Sequence, residues 1–271
     1  MLETGPRLSC TATEAAYLAS LLGADTLVGF PDPFHGWLAE EVESALVQAR
    51  DTLARRGLIT LQAGGAVVVV SPAARELVHA CGFSAASFIV THTPPTGEGT
   101  QHHFHVTRQL AVEQISRPGA LLHDLVALAD PRAVYGRALS LLGIQDQAAP
   151  DVPGAELPEA ALTGARRLAA ESGARAAHLA LLAHGLPPAT AEALAVTLAR
   201  PVANSLLVAL MRRPTGWEVD GLGLLAGPDG LWQMQPRVRG EEKRVELTPC
   251  PGAAAALALR GVLERALPFA L

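Results

Sequence analysis

The chain has few cysteines, few aromatic residues, a single lysine and no long apolar run. Its three cysteines are odd in number and have no metal-binding or redox spacing, which excludes a disulfide scaffold and predicts unpaired, buried thiols in a reducing compartment. No apolar stretch approaches the about 18 residues that a membrane helix requires. Residues 1–7 have neither the basic start nor the apolar segment of a signal peptide. We therefore expect a cytoplasmic protein that does not contact a membrane.

The charge is mildly acidic and evenly spread. The net charge is −5, and Lys243 accompanies twenty arginines that form no cluster. A nucleic-acid surface needs clustered positive charge to replace the counterions around phosphates, so we expect no nucleic-acid partner. Hydrophobic residues make up 49% of the chain, which is enough for a substantial core.

One structural pattern occurs twice. Ser87–Leu128 and Asn204–Leu263 each read as a strand, a Pro-Thr-Gly turn, two short strands and a closing helix. Two copies predict a pseudo-symmetric sheet, and the alternative is two unrelated meanders that share turn chemistry. The turns are Pro95-Thr96-Gly97 and Pro214-Thr215-Gly216, and the matched strands are 88–90 with 206–208, 103–106 with 222–225, and 111–114 with 231–235.

Helical signals fill most of the remaining chain. Capping residues and apolar spacing predict helices before, between and after the two units. Residues 145–157 lose this periodicity and carry two prolines and one glycine, which predicts a linker between the halves 1–144 and 158–271. The predicted helices are 11–22, 37–57, 72–81, 120–129, 131–143, 158–170, 174–184, 188–198 and 253–267, and a hairpin is predicted at 58–70.

This order of elements predicts an α+β fold with a central, mainly antiparallel sheet flanked by helical bundles. We expect a single domain over 1–271, because a three-stranded meander alone buries little surface and two units can share an edge. Two separate α+β domains joined at the linker are the alternative.

The densest group of titratable residues is His92, His102, His103 and His105. Alternation along a strand places His103 and His105 on one face, and with His92 from the neighbouring strand they could bind zinc. The simpler interpretation is a set of polar residues on a solvent-facing or interface strand. His79, His123, His178 and His184 are predicted to lie in helices.

Other chemical motifs are absent or misplaced. Gly221–Ala226 fits the dinucleotide-binding pattern, but a strand follows it where that site needs a helix. No phosphate-binding loop or Gly-x-Ser-x-Gly nucleophile motif occurs. Residues 36–70 suggest a winged helix in which Arg55 and Arg56 would contact DNA, but the helix begins with Glu40-Glu41, which would repel phosphate.

Several of these features together resemble the EspG family of type VII (ESX) secretion chaperones. They are the helix that ends in Leu53–Ile59, the short helix at 72–80, the following strand pair, and above all the C-terminal run Gly221–Leu267. That run contains a Gly227–Gly230 turn, an aromatic strand and a closing Ala/Leu helix. The resemblance covers most of the chain.

The resemblance implies a quasi-two-fold fold and a non-enzymatic role without a cofactor. Members of this family bind a PE–PPE pair through the sheet face, a long hairpin loop and the C-terminal bundle. Here it implies a protein partner with an apolar helical surface; the alternatives are a winged-helix regulator and a histidine-dependent metal-binding enzyme. The implied contact residues are Thr93, Pro94, Pro95, Thr96, Gly97, Glu98, Gly99, Thr100 and Gln101 in the loop, and Trp232, Met234 and Gln235 on a candidate sheet face.

Overall fold

The computed structural model describes residues 5–94, 99–116, 119, 121–144 and 147–267. The N-terminal half contains β1 (Arg7–Thr11), α1 (Ala12–Leu21), α2 (Ala39–Arg55), β2 (Ile59–Leu61), β3 (Val67–Val70), α3 (Pro72–Gly82), β4 (Ala86–Thr93), β5 (Thr100–Val106), β6 (Ala111–Ser116), β7 (Leu122–Ala127) and α4 (Ala133–Leu141). The C-terminal half contains β8 (Ala155–Pro158), α5 (Glu159–Ser172), α6 (Ala174–Ala183), α7 (Pro188–Ala199), β9 (Ala203–Arg213), β10 (Gly216–Gly227), β11 (Gly230–Arg239), β12 (Glu242–Cys250) and α8 (Gly252–Ala266).

A ten-stranded antiparallel sheet connects the two halves. Its order is β1-β7-β6-β5-β4-β9-β10-β11-β12-β8, and the halves meet where β4 pairs with β9, with Phe88 opposite Ala209. Outward from this junction, the N-terminal half contributes the meander β4-β5-β6-β7 and then β1. The C-terminal half contributes the meander β9-β10-β11-β12 and then β8. The predicted α+β fold, with a central antiparallel sheet built from two pseudo-symmetric units, is therefore confirmed.

The units themselves differ from their predicted content. Residues 120–129 were predicted as a helix, but Leu122–Ala127 form β7, in which His123, Leu125 and Ala127 alternate as the buried positions. The two-residue alternation of a strand was mistaken for a helical pattern because the segment is Ala/Leu-rich and a helix follows it. The sequence analysis also missed β12 and both outer strands, and β8 occupies the last part of the predicted linker.

The sheet has two differently covered faces. On the face that we call the α4–α8 face, Phe88 and Leu207 are buried beneath α4 and α8. On the opposite face, the bundle face, α1–α3 pack on the outer N-terminal strands around Leu125, and α5–α7 pack on the outer C-terminal strands around Trp232. The predicted helical bundles therefore both lie on one side of the sheet.

Two predicted helix starts are confirmed by their capping hydrogen bonds. Thr11 Oγ1 accepts from the N–H of Glu14 at 3.1 Å, and a Glu14 carboxylate oxygen accepts from the N–H of Thr11 at 3.0 Å. Ser71 Oγ accepts from the N–H of Ala74 at 3.4 Å, with Pro72 in the first turn of α3. Both arrangements satisfy amides that have no partner within the helix.

The three cysteines are unpaired and buried, as predicted. Burial raises the pKa of Cys10 to about 12, with a smaller contribution from the nearby Glu14 carboxylate, so this thiol is not activated as a nucleophile. No helix within the described ranges combines the length and apolar character needed to cross a bilayer.

The predicted hairpin at 58–70 is confirmed as the small sheet β2–β3, which follows α2. This arrangement resembles the end of a winged helix, but Arg56 is already engaged within the protein. Its guanidinium donates to both carboxylate oxygens of Glu14, at 3.1 and 3.0 Å, and to the carbonyl of Ser9. Arg56 therefore ties the end of α2 to α1 and β1, which weighs against its assignment to phosphate.

Candidate partner-binding surface

The middle of the bundle face is not covered by either helical bundle. We call this surface the central strip; it consists of Ile89 and Thr91 on β4 and Leu206, Val208 and Leu210 on β9. Leu206 is 45% exposed, and the other four are half-buried. Their neighbours on the α4–α8 face, by contrast, are fully buried. The same two strands therefore have one face inside the core and one apolar face open to solvent.

The dimensions of the central strip follow from strand spacing. Adjacent strands lie about 4.8 Å apart, so β4, β9 and the first part of β10 form a floor about 10 Å across. One wall is the loop between α1 and α2 with α3, and the other is α5. An α-helix with its side chains is about 10–12 Å across, so the central strip has the width of one helix.

The loop assigned to partner contact, Thr93–Gln101, lies at one end of the central strip. Thr93 pairs with Asn204 on β9, two residues along each strand from the pair Thr91–Leu206. Thr93, Pro94 and Gly99 are half-buried, while Thr100 and Gln101 are exposed. Pro95, Thr96, Gly97 and Glu98 lie outside the described residues. The loop therefore begins and ends beside the strip.

The structure corrects the assignment of Trp232 to an open sheet face. Trp232 has 0% exposure, its Nε1–H donates to Thr197 Oγ1 on α7 at 3.3 Å, and it belongs to the core beneath α5–α7. Met234 and Gln235 are half-buried. As adjacent strand residues they point to opposite faces, with Met234 on the bundle face, so these three residues do not share one surface.

Met234 and Gln235 instead line a cleft of about 930 Å³ between two β-hairpins. The hairpin β9–β10 forms one side, and the hairpin β11–β12 forms the other. Helix α5 lines the cleft on the bundle face, and α8 lines it on the α4–α8 face. Asp220 at the cleft accepts two hydrogen bonds from Arg265 of α8, at 2.9 and 2.6 Å.

A buried polar network lies beneath the loop between α1 and α2. His103 and His105 share the bundle face of β5, as predicted, but both are buried, so the expectation of a solvent-facing or interface strand is wrong. His105 Nε2 donates to Gln114 Oε1 at 2.9 Å, and His105 Nδ1 lies 3.3 Å from Ser87 Oγ. Ser87 is in turn 2.9 Å from Ser84 Oγ.

Gln114 connects this network to the loop. Its amide nitrogen donates to the carbonyl of Gly29 at 2.9 Å and lies 3.3 Å from Nδ1 of His123. The ring of Phe30 packs on His123, with 4.7 Å between ring centroids. His123 lies on β7, which corrects its prediction as a helical residue. The loop is therefore held on the sheet by side chains from β6 and β7.

Burial keeps these histidines neutral. It lowers the pKa of His103 to about 4, with smaller repulsive effects from His105, His123 and His102. It also lowers the pKa of His105 to about 4, although the hydrogen bond with Gln114 acts in the opposite direction. Each of these imidazoles therefore remains uncharged at neutral pH.

The Ser87–His105 pair superficially resembles a nucleophilic site. The third member, however, is the amide of Gln114, which cannot stabilise an imidazolium as a carboxylate would. Ser87, His105 and Gln114 also have 0% exposure, so no substrate reaches the hydroxyl. The network fits a role in fixing the loop better than a role in covalent catalysis.

A second buried contact lies on the opposite face of the same strands. His102 Nδ1 donates to a Glu113 oxygen at 2.6 Å, and Arg137 Nε from α4 donates to both oxygens, at 3.0 and 2.9 Å. Burial raises the pKa of Glu113, but these hydrogen bonds and the charge of Arg137 outweigh it, so the pKa is lowered. Glu113 is therefore an ionised carboxylate that anchors α4 to the sheet. It was not predicted as a partner of His102 because the two residues are distant in sequence.

The metal-binding hypothesis needed His92 beside His103 and His105. His92 points instead to the α4–α8 face, where its Nδ1 lies 2.9 Å from Ser205 Oγ. Within the described residues, no group of three or more His, Cys, Asp or Glu side chains is placed to hold a metal ion. The structure therefore separates the proposed ligands.

The contact between the loop and His103 can be tested with Gly29→Ala. Gly29 has φ +82°, and a Cβ there would lie 2.5 Å from His103 Nδ1. We expect the free energy of unfolding to fall by about 2 kcal/mol or more, since backbone strain of about 1 kcal/mol adds to a steric clash. Gly23→Ala is the matched control, because Gly23 has φ +72° and open space around it. Urea unfolding of both variants measures the difference, and equal losses would contradict the close contact.

Comparison with known proteins supports the fold assignment. No family model matches the chain, and no curated protein matches it. Among solved structures, the chain is similar to the Mycobacterium tuberculosis type VII secretion system chaperone EspG5, determined in complex with a PE25–PPE41 dimer, with a TM-score of 0.60, 14% identity and 98% of each chain covered. A second match, HtdX from Mycobacterium tuberculosis, has 15% identity, covers 92% of this chain and 100% of that chain, and has a TM-score of only 0.14. The chain therefore shares the EspG-type fold over nearly its whole length.

Proposed function

We propose that the protein is a non-enzymatic chaperone or adaptor that covers an apolar helical surface of a partner protein. The central strip carries this proposal: two core strands expose Ile89, Leu206 and Val208 between two helical walls. A contiguous apolar patch framed by helices is typical of a surface that is covered in use. The similar EspG5 structure holds a PE25–PPE41 dimer, so the proposed partner is a helical PE–PPE-like pair.

The physical basis of the proposed activity is burial of apolar area. An interface of ordinary size buries about 1,600 Å² in total and depends on a few central anchor residues. Leu206 is the best candidate anchor, because it is the most exposed apolar residue of the strip. Covering the partner's apolar helix would keep that helix from aggregating. The loop Thr93–Gln101 lies beside the strip and would contact the same partner.

Leu206→Glu tests this role. We expect co-purification with PE–PPE-type pairs encoded beside this chain in its own genome to fall at least about tenfold, since a charge would be buried without a partner. Val69→Glu is the matched control: Val69 is 48% exposed and lies on the separate β2–β3 hairpin. Calorimetric titration of the purified complex components measures the affinities.

Three outcomes distinguish the proposal from its alternatives. Loss of binding by Leu206→Glu with retention by Val69→Glu supports the central strip as the contact surface. Equal affinities of both variants, or failure of every such pair to bind the wild-type protein, would overturn the proposal. Salt-dependent retention on DNA that Arg55→Ala weakens would favour the winged-helix alternative instead.

A further inference from the structure

The sheet opens between β10 and β11. These strands pair only from Gly223–Met234 to Gly227–Gly230. Beyond that point residues 216–222 of β10 continue to pair with β9, and residues 235–239 of β11 continue to pair with β12. The two hairpins therefore diverge and leave facing backbone edges along the cleft. We call this opening the slot.

The direction of each backbone group follows from the three tight hairpins. Two-residue turns connect the closing pairs Arg213–Gly216, Gly227–Gly230 and Arg239–Glu242, and such closing pairs are mutually hydrogen-bonded. Because successive residues alternate, the odd-numbered residues of β10 point their N–H and C=O groups toward β11. The even-numbered residues of β11 point theirs toward β10.

Pro236 explains why pairing stops. If the register of β10 and β11 continued, Pro236 would lie opposite Gly221. The residue at position 236 would then have to donate its N–H to the carbonyl of Gly221. Proline has no N–H, so this pair cannot form, and a proline inside a sheet is expected where a ladder ends. Gly223–Met234 is therefore the last pair between β10 and β11.

Because Pro236 cannot donate, the carbonyl of Gly221 has no donor from β11, while the N–H of Gly221 is satisfied by Asp220. The N–H of Gly221 donates to Asp220 Oδ1 at 2.8 Å, while Asp220 Oδ2 is held by Arg265. Farther along β10, Trp217 and Val219 point their backbone groups into the slot, and within the described residues no backbone partner is found for them there. The slot therefore presents an ordered row of donors and acceptors.

We propose that the slot binds an extended segment of a partner polypeptide, which adds a strand against Trp217–Gly221 of β10. A second strand is the ligand that matches backbone donors and acceptors at this spacing. The segment pairs with β10 in preference to β11, because Pro236 removes one donor from β11. This site goes beyond the helix-covering role of the central strip and requires only that the partner is a polypeptide.

The walls of the slot specify the side chains of that segment. Leu162 of α5 and Met234 lie on the bundle face, and Leu257 and Val262 of α8 lie on the opposite face. The cleft is also lined by the charged side chains of Glu159, Arg166, Arg237 and Arg265. An inserted strand would therefore meet both apolar and charged side chains. The segment that fits is mainly apolar over about five residues, the length of Trp217–Gly221, with polar side chains where these charged groups lie.

A random 12-residue peptide library displayed on phage provides the probe. We expect peptides selected on the full chain to bind extended and to slow hydrogen exchange at the Val219 amide, which points into the slot. The amides of Glu218 and Asp220 point toward β9 and should be protected before and after binding. Pro236→Val supplies the missing donor and lets the ladder continue, so it should weaken these peptides at least about tenfold without unfolding the sheet.

Two control variants separate this site from others. Pro228→Val changes an exposed proline in the β10–β11 turn and should leave peptide affinity unchanged. Leu206 lines the cleft as well as the central strip, so the second control is Ile89→Glu, which changes only the strip. It should also leave peptide affinity unchanged, so the two proposals can fail separately. Failure to select any peptide, or selected peptides that are insensitive to Pro236→Val and do not protect Val219, would overturn the proposal.

Discussion

The protein is expected to lose a large part of its stability between pH 6.5 and pH 4. In the folded protein the pKa of His103 and that of His105 are each about 4, whereas an exposed histidine has a pKa of about 6.5. Between these values the unfolded chain binds protons that the folded protein does not. The free energy of unfolding therefore falls as the pH falls. Each group contributes about 3 kcal/mol over the full interval.

This effect is large compared with ordinary protein stability. The two histidines together would remove about 6 kcal/mol by pH 4, and a typical domain has about 5–15 kcal/mol in total. His123 acts in the same direction, because burial lowers its pKa as well. Glu113 contributes at still lower pH: its pKa is lowered, so its stabilising ion pair is lost only as it becomes protonated. We expect the loop between α1 and α2 to detach first, since Gly29 and Phe30 contact this network directly.

Urea unfolding at pH 7.5, 6.0 and 5.0 measures the predicted slope. His105→Gln should be less stable than the wild type at pH 7.5, because it disturbs the hydrogen bonds to Ser87 and Gln114, but its stability should fall less steeply with acid. His184→Gln is the matched control, since His184 is exposed at the end of α6. If His105→Gln and His184→Gln give the same slope as the wild type, His105 is not the group that titrates.

Much of the architecture could be predicted because it depends on local signals. The caps at Thr11 and Ser71 and the turn at Pro214-Thr215-Gly216 each act within a few residues, and the structure confirms them. The repeated meander also predicted the shared sheet correctly. The error at 120–129 has a physical cause: an Ala/Leu-rich segment has helical propensity, but pairing with β6 and β1 imposes the strand period.

The candidate surfaces were harder to predict because they depend on what covers each strand. Nothing in the sequence of β9 indicates that Leu206 is open while Trp232 on β11 is closed, since both occupy apolar strand positions on the same face. The difference arises because α5–α7 cover the bundle face of β11, whereas none of the described helices covers the bundle face of β9. The partners of His102 and Gln114 were missed for the same reason: Arg137 and Gly29 are distant in sequence.

Pro236 is a signal that could have been used. Pro236 directly follows the predicted strand 231–235, and a proline there indicates an edge or an interruption of the ladder. The two glycines at 221 and 223 indicate close backbone approach. Together they predict that the sheet changes its pairing near Gly221. The sequence analysis treated 221–226 only as a possible nucleotide motif, so it overlooked the slot.

Trp232→Ala should lower the free energy of unfolding by about 3–5 kcal/mol, the range observed when a large buried aromatic side chain is truncated. Trp232 fills the interface between β11 and α7, so its removal leaves a cavity beneath α5–α7 and removes a hydrogen bond to Thr197 Oγ1, which still donates to the carbonyl of Ala193. Urea unfolding at neutral pH measures the loss. Trp232→Phe should cost less, because it keeps most of the apolar volume and removes only the Nε1 donor.

Trp217→Ala is the matched comparison, since Trp217 is 50% exposed and its ring lies 6.0 Å from the Arg212 guanidinium carbon. We expect this variant to lose less than about 1 kcal/mol, because an exposed cation–π contact contributes little. The comparison separates a core role from a contact role for Trp232. If Trp232→Ala weakened partner binding while its stability stayed within about 1 kcal/mol of the wild type, the original assignment of Trp232 to an open surface would be right and the buried position wrong.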